Sequence, residues 1–207
     1  RRILERELAG WLAAAQAARG APDPMVRTVA LDHASLAYAL DEVAPALDRG
    51  VDAAILLGLD TAYDPAWVER LLAAERLFDG ERLDLAIAGE GGALALLATP
   101  DAVARCGWPV LAGVSASATA REPATLDNDV PMMGLGLSRC AVAATDALAA
   151  QGRPLDWWIS DMTPEPHRVQ EFQLAWPRAS ARRMTAEGTL QFIASQLGDL
   201  GAAAMTT

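Results

Sequence analysis

The run Asp52-Ala53-Ala54-Ile55-Leu56-Leu57-Gly58 is the stretch of sequence that decides the fold. It is short, continuous and apolar, as expected of a β-strand that is buried on both faces. A helical pattern precedes it over residues 34–48. A second helix is predicted over residues 65–77, where Asp64 and Pro65 supply a cap and a first-turn proline. A buried strand between two helices indicates an α/β fold around a mixed sheet.

The same alternation of helices and strands continues along the rest of the chain. Gly89-Glu90-Gly91-Gly92 is predicted to form a tight turn. The other predicted helices lie at residues 3–18, 101–106, 137–150, 168–175 and 186–197. The other predicted strands lie at residues 25–31, 93–98, 109–118 and 157–159, the last of them buried. No linker rich in glycine, serine or proline divides the chain, so residues 1–207 are expected to form one unit.

The composition excludes several classes of protein. Of the 207 residues, 52% are apolar, which is enough for a buried core and excludes a disordered chain. The net charge of −10 disfavours binding to nucleic acid or to an anionic membrane surface. No apolar run approaches the roughly 18 residues that span a bilayer, and the first residues do not resemble a secretory signal. We therefore expect a cytoplasmic protein.

The sequence also lacks the patterns that hold a metal ion or a nucleotide. Cys106 and Cys140 lie far apart without CxxC spacing, which is typical of two reduced thiols rather than a disulfide or a zinc site. The two histidines, His33 and His167, are too few for a transition-metal site made of protein ligands alone. The glycine-rich turn lacks the lysine and the hydroxyl of a phosphate-binding loop. We expect neither a metal nor a cofactor.

Several short segments resemble, in their order and spacing, the β-ketoacyl synthases of the thiolase superfamily. The resemblance extends over residues 25–204. In chain order the matching segments are His33-Ala34-Ser35, Asp41-Glu42, Arg49-Gly50, Asp52–Gly58 with Leu59-Asp60-Thr61, Arg76-Leu77, Gly89-Glu90-Gly91-Gly92-Ala93-Leu94, Glu122-Pro123, Gly134-Leu135-Gly136-Leu137 and Gly198-Asp199-Leu200-Gly201-Ala202-Ala203. The resemblance implies part of a layered αβαβα fold, with mixed five-stranded sheets flanked by helices. The chain is expected to hold the end of the N-terminal half and the start of the C-terminal half. The family's N-terminal portion and C-terminal end are expected to be missing.

Three positions of this sequence match the catalytic positions of that family. The cysteine nucleophile, which stands at the start of a helix, falls on His33. The second catalytic histidine falls on Asp199, and the first, which follows a predicted strand, falls on Asp161. Candidate substrate-binding residues near these positions are Ser35, Glu165 and His167.

These replacements remove the groups that condensation needs. An acylated imidazole is a labile carrier, so His33 is a poor store for a growing acyl chain. Asp161 and Asp199 accept hydrogen bonds unless they are protonated, and so do not stabilise an enolate or an oxyanion. Losing one such donor typically costs about 2.7–4 kcal/mol, and here the nucleophile is changed as well. Claisen condensation by the family's route is therefore not expected.

The nature of the replacements resembles one subgroup of the superfamily. The Gly-Asp-Leu-Gly-Ala-Ala ending, Glu122-Pro123 and the combination of Asp161 with Glu165 and Arg168 are similar to thiolase-like proteins encoded beside type VI secretion effectors in Gram-negative bacteria. This resemblance implies an accessory or adaptor role, with a secretion effector or adaptor as partner. It also implies a homodimer, or a heterodimer with a related subunit.

Other interpretations of the same residues remain open. A diverged acyltransferase or thioester hydrolase would use His33 with Asp199 or Asp161, whereas an inactive partner subunit of a ketosynthase heterodimer would need no such group. A purely structural interpretation makes His33 a pocket-lining side chain and Asp199 the cap of the alanine-rich segment after it. It places the segment from Asp161 to His167 in a solvated loop. The enzyme hypothesis requires that His33, Asp161 and Asp199 come within hydrogen-bond reach.

Overall fold

The computed structural model describes residues 2–18, 26–126, 128–181 and 184–203. The α-helices are α1 (Arg2–Ala17), α2 (Ser35–Asp48), α3 (Pro65–Ala73), α4 (Pro100–Cys106), α5 (Leu135–Ala150), α6 (Pro166–Ser180) and α7 (Ala194–Leu197). Short 3₁₀ helices lie at Asp32–Ala34 and Gly201–Ala203. The strands are β1 (Ala53–Thr61), β2 (Glu90–Ala98), β3 (Leu155–Ser160) and β4 (Met184–Phe192). The α/β class that the sequence predicts is confirmed.

β1 and β2 form an antiparallel pair in which Leu59 lies opposite Gly92. β2 begins at Glu90, so the turn predicted at Gly89–Gly92 is wrong, and most of this segment is strand. A Cβ at Gly92 would lie 2.7 Å from the Leu59 Cδ2 atom, so a larger residue there would displace the exposed Leu59 side chain. The predicted cap of α3 is confirmed, since the Asp64 side chain accepts a hydrogen bond from a backbone N–H in the first turn.

The β1–β2 sheet is covered on one face only. Leu56 is buried at 9% exposure, whereas its neighbours Ile55 and Leu57 are 64% and 50% exposed. The expectation that this strand is buried on both faces is therefore wrong for the described residues. The reason is that α2 and the 3₁₀ helix Gly201–Ala203, which both contact β1, leave the side chains of Ile55 and Leu57 uncovered.

β3 and β4 are parallel and are joined by α6 in a βαβ unit. The helix predicted over residues 186–197 is wrong for residues 186–192, which form β4, and is confirmed only at its end, where α7 lies. Pairing with β3 overrides the local helical pattern, because strand formation depends on neighbouring strands and packing more than on intrinsic preference. In β3 itself the predicted burial is wrong for Trp157 and Ile159, which are 56% and 50% exposed.

An aromatic cluster fixes α6 against this second sheet. The Trp158 ring of β3 meets the Trp176 ring of α6 edge to face, with centroids 5.0 Å apart. Phe172 of α6 meets Phe192 of β4 in the same way, with centroids 5.3 Å apart. Such pairs add about 0.5–1.5 kcal/mol each beyond their buried area. The start of α6, which carries polar side chains of the site, is therefore held firmly beside the ends of β3 and β4.

Two predicted strands are not formed. Residues 26–31 and 109–118 have no regular secondary structure, and Met25 lies outside the described residues. An extended segment becomes a strand only when its backbone groups pair with a neighbour, and no strand in the described ranges pairs with either segment. Each sheet of the described chain has two strands, so the layered α/β fold is present in part.

Candidate functional site

His33 lies in the 3₁₀ helix Asp32–Ala34, immediately before α2. The turn is closed by a backbone hydrogen bond of 3.2 Å from the Ala34 N–H to the Leu31 carbonyl. The buried Ser35 hydroxyl accepts a hydrogen bond from the Leu31 N–H at 3.0 Å. These contacts hold the imidazole at the start of the helix, the position that the resemblance implies for a nucleophile. Ser35 itself stabilises the turn.

Asp199 is brought to His33 from the end of the chain. Its backbone N–H donates to the Ile87 carbonyl at 2.7 Å, which anchors the segment after α7 beside the start of β2. Its Oδ1 atom lies 2.8 Å from His33 Nε2 and also accepts the Gly201 N–H at 3.0 Å. The sequence left two alternatives for Asp199, a cap of the segment after it or a partner of His33. In the structure its carboxylate makes both contacts.

Asp161 follows β3 and completes the group. Its Oδ2 atom lies 3.9 Å from His33 Nε2, and its Oδ1 atom lies 3.5 Å from the Arg168 guanidinium. The three predicted positions therefore converge on one imidazole nitrogen. An ionised carboxylate accepts hydrogen bonds and donates none, so with Asp199 ionised the Nε2 atom carries the proton of their shared hydrogen bond. The His33, Asp161 and Asp199 side chains are all 20% exposed or less.

Glu165 lies in a second polar cluster, and the interpretation of its segment as a solvated loop is wrong. The residue is 6% exposed, and its Oε1 atom accepts hydrogen bonds from Arg76 Nε at 2.9 Å and Nη2 at 2.6 Å. Thr163 donates to the other carboxylate oxygen at 3.2 Å. Burial is possible because the guanidinium and the hydroxyl replace the water that an isolated carboxylate would need.

The first turns of α6 carry two further titratable groups. His167 is half-buried, and this burial lowers its pKa, so the ring is neutral at pH 7. Burial raises the pKa of Glu171, whose Oε2 atom lies 3.2 Å from Arg168 Nη1. Arg168 therefore lies between the carboxylates of Glu171 and Asp161, and it connects α6 to the His33 group.

Two cavities flank this part of α6. The larger one has a volume of about 610 Å³ and the smaller one about 400 Å³. His167 and Arg168 line both. The larger cavity is lined by His33, Trp67, Arg70, Leu71, Arg76, Ala86, Thr163, Glu165, His167, Arg168 and Asp199. Of the predicted substrate-binding residues it thus includes Glu165 and His167, and Ser35 is not among its lining side chains.

α3 contributes Trp67 and Arg70 to the larger cavity, and neither residue is among those predicted from the sequence. The signal for them was present in the spacing of α3. Residues three and four apart lie on the same face of a helix, so Trp67, Arg70 and Leu71 form one stripe. Leu71 is buried, which identifies the inward side of the helix. Trp67 is partly buried and Arg70 is exposed beside it, and both line the cavity.

Neither cysteine takes the place of His33 at the start of α2. Cys140 lies in α5, where burial raises the pKa of its thiol, and Cys106 is exposed at the end of α4.

No three histidine, cysteine or acidic side chains of the described residues are grouped as metal ligands. No described helix is both long and apolar enough for a transmembrane segment.

No protein-family model and no curated protein matches the chain. Solved structures do match. One belongs to AntDE:AntF, a type II polyketide acyl-carrier protein in complex with its ketosynthase bound to the hexaketide. It has a TM-score of 0.66 and 16% identity over 94% of this chain and 50% of that chain. The chain has a ketosynthase fold.

A second ketosynthase structure agrees with this assignment. It is the oxazolomycin ketosynthase domain OzmH KS7 of Streptomyces albus JA3453, with a TM-score of 0.65 and 18% identity over 95% of this chain. The ketosynthase-fold chain spans half or less of the length of these two structures, since it covers 50% of the first and 39% of the second. At such low identity the likeness concerns the fold.

Proposed function

We propose that this ketosynthase-fold chain does not catalyse Claisen condensation and serves as an accessory or adaptor protein of a type VI secretion system. The observation that carries the proposal is the 2.8 Å contact between His33 Nε2 and Asp199 Oδ1. The resemblance implies a thiolate and proton-donating rings at these positions in a condensing enzyme, and the contact instead joins an imidazole to a carboxylate.

The chemistry of the site supports the loss of condensation. A developing oxyanion needs donors, and mutating one donor typically costs about 2.7–4 kcal/mol. Asp199 and Asp161 present acceptors, and with Asp199 ionised the Nε2 proton of His33 is donated to Asp199. A growing negative charge at this point would meet two carboxylates. The condensation barrier is therefore raised by the very groups that occupy the site.

The exposed surface supports a role in protein association. Large apolar side chains of β1 and β2 are exposed on one face of their sheet, among them Leu57 at 50% and Leu94 at 63%, which lie opposite each other. Contiguous exposed apolar surface is characteristic of interfaces. One of the similar ketosynthases is in complex with an acyl-carrier protein. The partner we propose is a secretion effector or adaptor, bound by a homodimer or by a heterodimer with a related subunit.

The first experiment separates this function from catalysis. Incubation with a panel of acyl-CoA and acyl-carrier thioesters, followed by intact-mass spectrometry and free-thiol detection, is expected to give neither an acyl adduct nor turnover. The second experiment is co-purification from the native host, with secretion components expected in the bound fraction. Recovery of polyketide or fatty-acid synthesis proteins instead would favour an inactive subunit of a ketosynthase heterodimer and overturn the secretion role.

A second candidate function is favoured by the position of the His33–Asp199 pair on the wall of the larger cavity. In a thioester hydrolase, the imidazole would take a proton from water as the water oxygen attacks the thioester carbonyl. The C–S bond then breaks, and the leaving thiolate takes up that proton. Turnover that disappears in His33→Ala and persists in Arg49→Gln would establish this enzyme and refute the adaptor proposal. Arg49 is exposed and lines neither cavity, so its replacement is a matched control.

A further inference from the structure

Among the described residues, one arginine that lines the larger cavity has no acidic partner. Arg70 lines the cavity, and within the described residues its side chain makes no hydrogen bond or ion pair. The other two arginines of the lining are engaged, since Arg76 binds Glu165 and Arg168 binds Asp161. In a chain with a net charge of −10, a concave site with an uncommitted guanidinium indicates an anionic ligand.

We propose that this cavity binds a small monocarboxylate through the Arg70 guanidinium. The guanidinium presents parallel N–H donors whose spacing matches the two oxygens of a carboxylate. The inference rests on the proposed function, in which His33 forms no acyl adduct. The cavity then binds its ligand without forming a covalent bond to it. It extends that function by assigning the site a ligand class.

The charges of the cavity favour one negative charge over two. Glu165 and Asp199 also line it, and their carboxylates repel any charge beyond the one that Arg70 neutralises. A phosphate monoester carries about −1.5 to −2 at pH 7. The charge of a monocarboxylate is neutralised by the Arg70 guanidinium, whereas a phosphate monoester leaves an excess negative charge beside Glu165 and Asp199.

The other residues that line the cavity indicate the size and polarity of the rest of the ligand. The cavity volume of about 610 Å³ lies within the range of about 300–1,000 Å³ that is common for small-molecule sites. Trp67 provides an aromatic wall on the same face of α3 as Arg70. The neutral His167 ring of α6 adds an uncharged hydrogen-bonding group. This lining matches a short carboxylic acid that carries a hydroxyl or oxo group.

The test is a titration of the full, ¹⁵N-labelled chain with 3-hydroxybutanoate, followed by NMR at the Trp67 indole N–H, which is assigned from its loss in Trp67→Phe. The expected result is a saturable shift of this signal. The neutral analogue 3-hydroxybutanamide is expected to give no saturable shift. Arg70→Gln is expected to weaken binding about tenfold or more, because hydrogen bonds to a charged group are lost. Arg49→Gln, the matched control, is expected to bind as the wild type does.

Three results overturn the inference. They are the absence of a saturable shift, an affinity that Arg70→Gln leaves unchanged, and tighter Arg70-dependent binding of methyl phosphate than of the carboxylate. Arg70 is exposed on α3, and a circular dichroism spectrum checks that its variant is folded. The proposed function fails separately, through an acyl adduct or turnover in the thioester assay. Lack of carboxylate binding without an adduct overturns the ligand and leaves the accessory role in place.

Discussion

Asp199 Oδ1 lies 2.8 Å from His33 Nε2 although 166 positions of sequence separate the two residues. The same oxygen accepts the Gly201 N–H at 3.0 Å. One carboxylate oxygen therefore connects the start of α2 to the 3₁₀ helix near the end of the described chain. The contact both occupies the centre of the site and closes a long-range link in the fold.

Removal of either partner of this contact is expected to lower stability. In His33→Ala the partly buried Asp199 carboxylate loses one of its donors, and the free energy of unfolding is expected to fall by about 1–2 kcal/mol. Urea denaturation measures this value. In a cycle with Asp199→Ala, the double variant is expected to lose less than the sum of the two single losses, by about 0.5 kcal/mol or more. Strict additivity would contradict a direct bond.

The Arg76–Glu165 pair is expected to matter more than an exposed pair. Arg76→Leu leaves the Glu165 carboxylate, whose side chain is 8% exposed, with Thr163 as its remaining side-chain donor among the described residues. Because Arg76 is itself 36% exposed, we expect a loss of about 2 kcal/mol, below the 3–5 kcal/mol range of fully buried pairs. Arg82→Leu is the control, since its pair with Asp79 is exposed and is expected to contribute nothing measurable. Equal effects of the two variants would contradict the prediction.

His167 is expected to make stability depend on pH. Burial lowers its pKa below the ordinary value of 6.5, so below about pH 6.5 the unfolded chain binds more protons than the folded chain. The free energy of unfolding therefore falls as the pH falls through this range. Urea denaturation at about pH 7 and about pH 5.5 is expected to show a smaller loss in His167→Gln than in the wild type.

The comparison isolates His167 from the other titrating groups. Burial raises the pKa of Glu171, which has the opposite sign and adds stability as the pH falls toward its ordinary value. That contribution and any from His33 are present in both proteins and cancel in the difference. A variant whose loss equals that of the wild type would show that the burial of His167 has no energetic effect.

Gly89 is expected to be essential for the placement of Asp199. A Cβ at this position would lie 2.6 Å from the Asp199 carbonyl oxygen, so Gly89→Ala forces two backbone segments apart. A loss of about 1–3 kcal/mol in the free energy of unfolding is expected. The matched control is Gly113→Ala, where an added Cβ meets nothing within 4 Å. If both variants unfold at the same urea concentration, the close approach of the two segments does not limit stability.

The convergence of the site was predictable from motif order, whereas its polar surroundings were not. His33, Asp161 and Asp199 were indicated by the order of the segments that resemble the β-ketoacyl synthases, and the structure brings them to one nitrogen. The burial of Glu165 depends on Arg76, which lies 89 positions earlier in the sequence. No local pattern reports such a partner, so the sequence predicts a solvated loop where the structure has a loop with a buried Glu165.

The errors in the strands have the same cause. The segment of β4 has a pattern compatible with a helix, and pairing with β3 determines its conformation. Residues 109–118 show the alternation of a strand and lack a paired neighbour among the described residues. The alternation of apolar and polar residues indicates which side chains are expected to be buried. It does not report whether a backbone partner is present.

The two acids beside His33 also constrain the chemistry of this position. Replacing His33 with cysteine alone would set a thiol between Asp199 and Asp161, whose negative charges disfavour the thiolate. His33→Cys alone is therefore expected to yield an unreactive thiol. A reactive thiolate at this position would require the replacement of both neighbouring carboxylates as well.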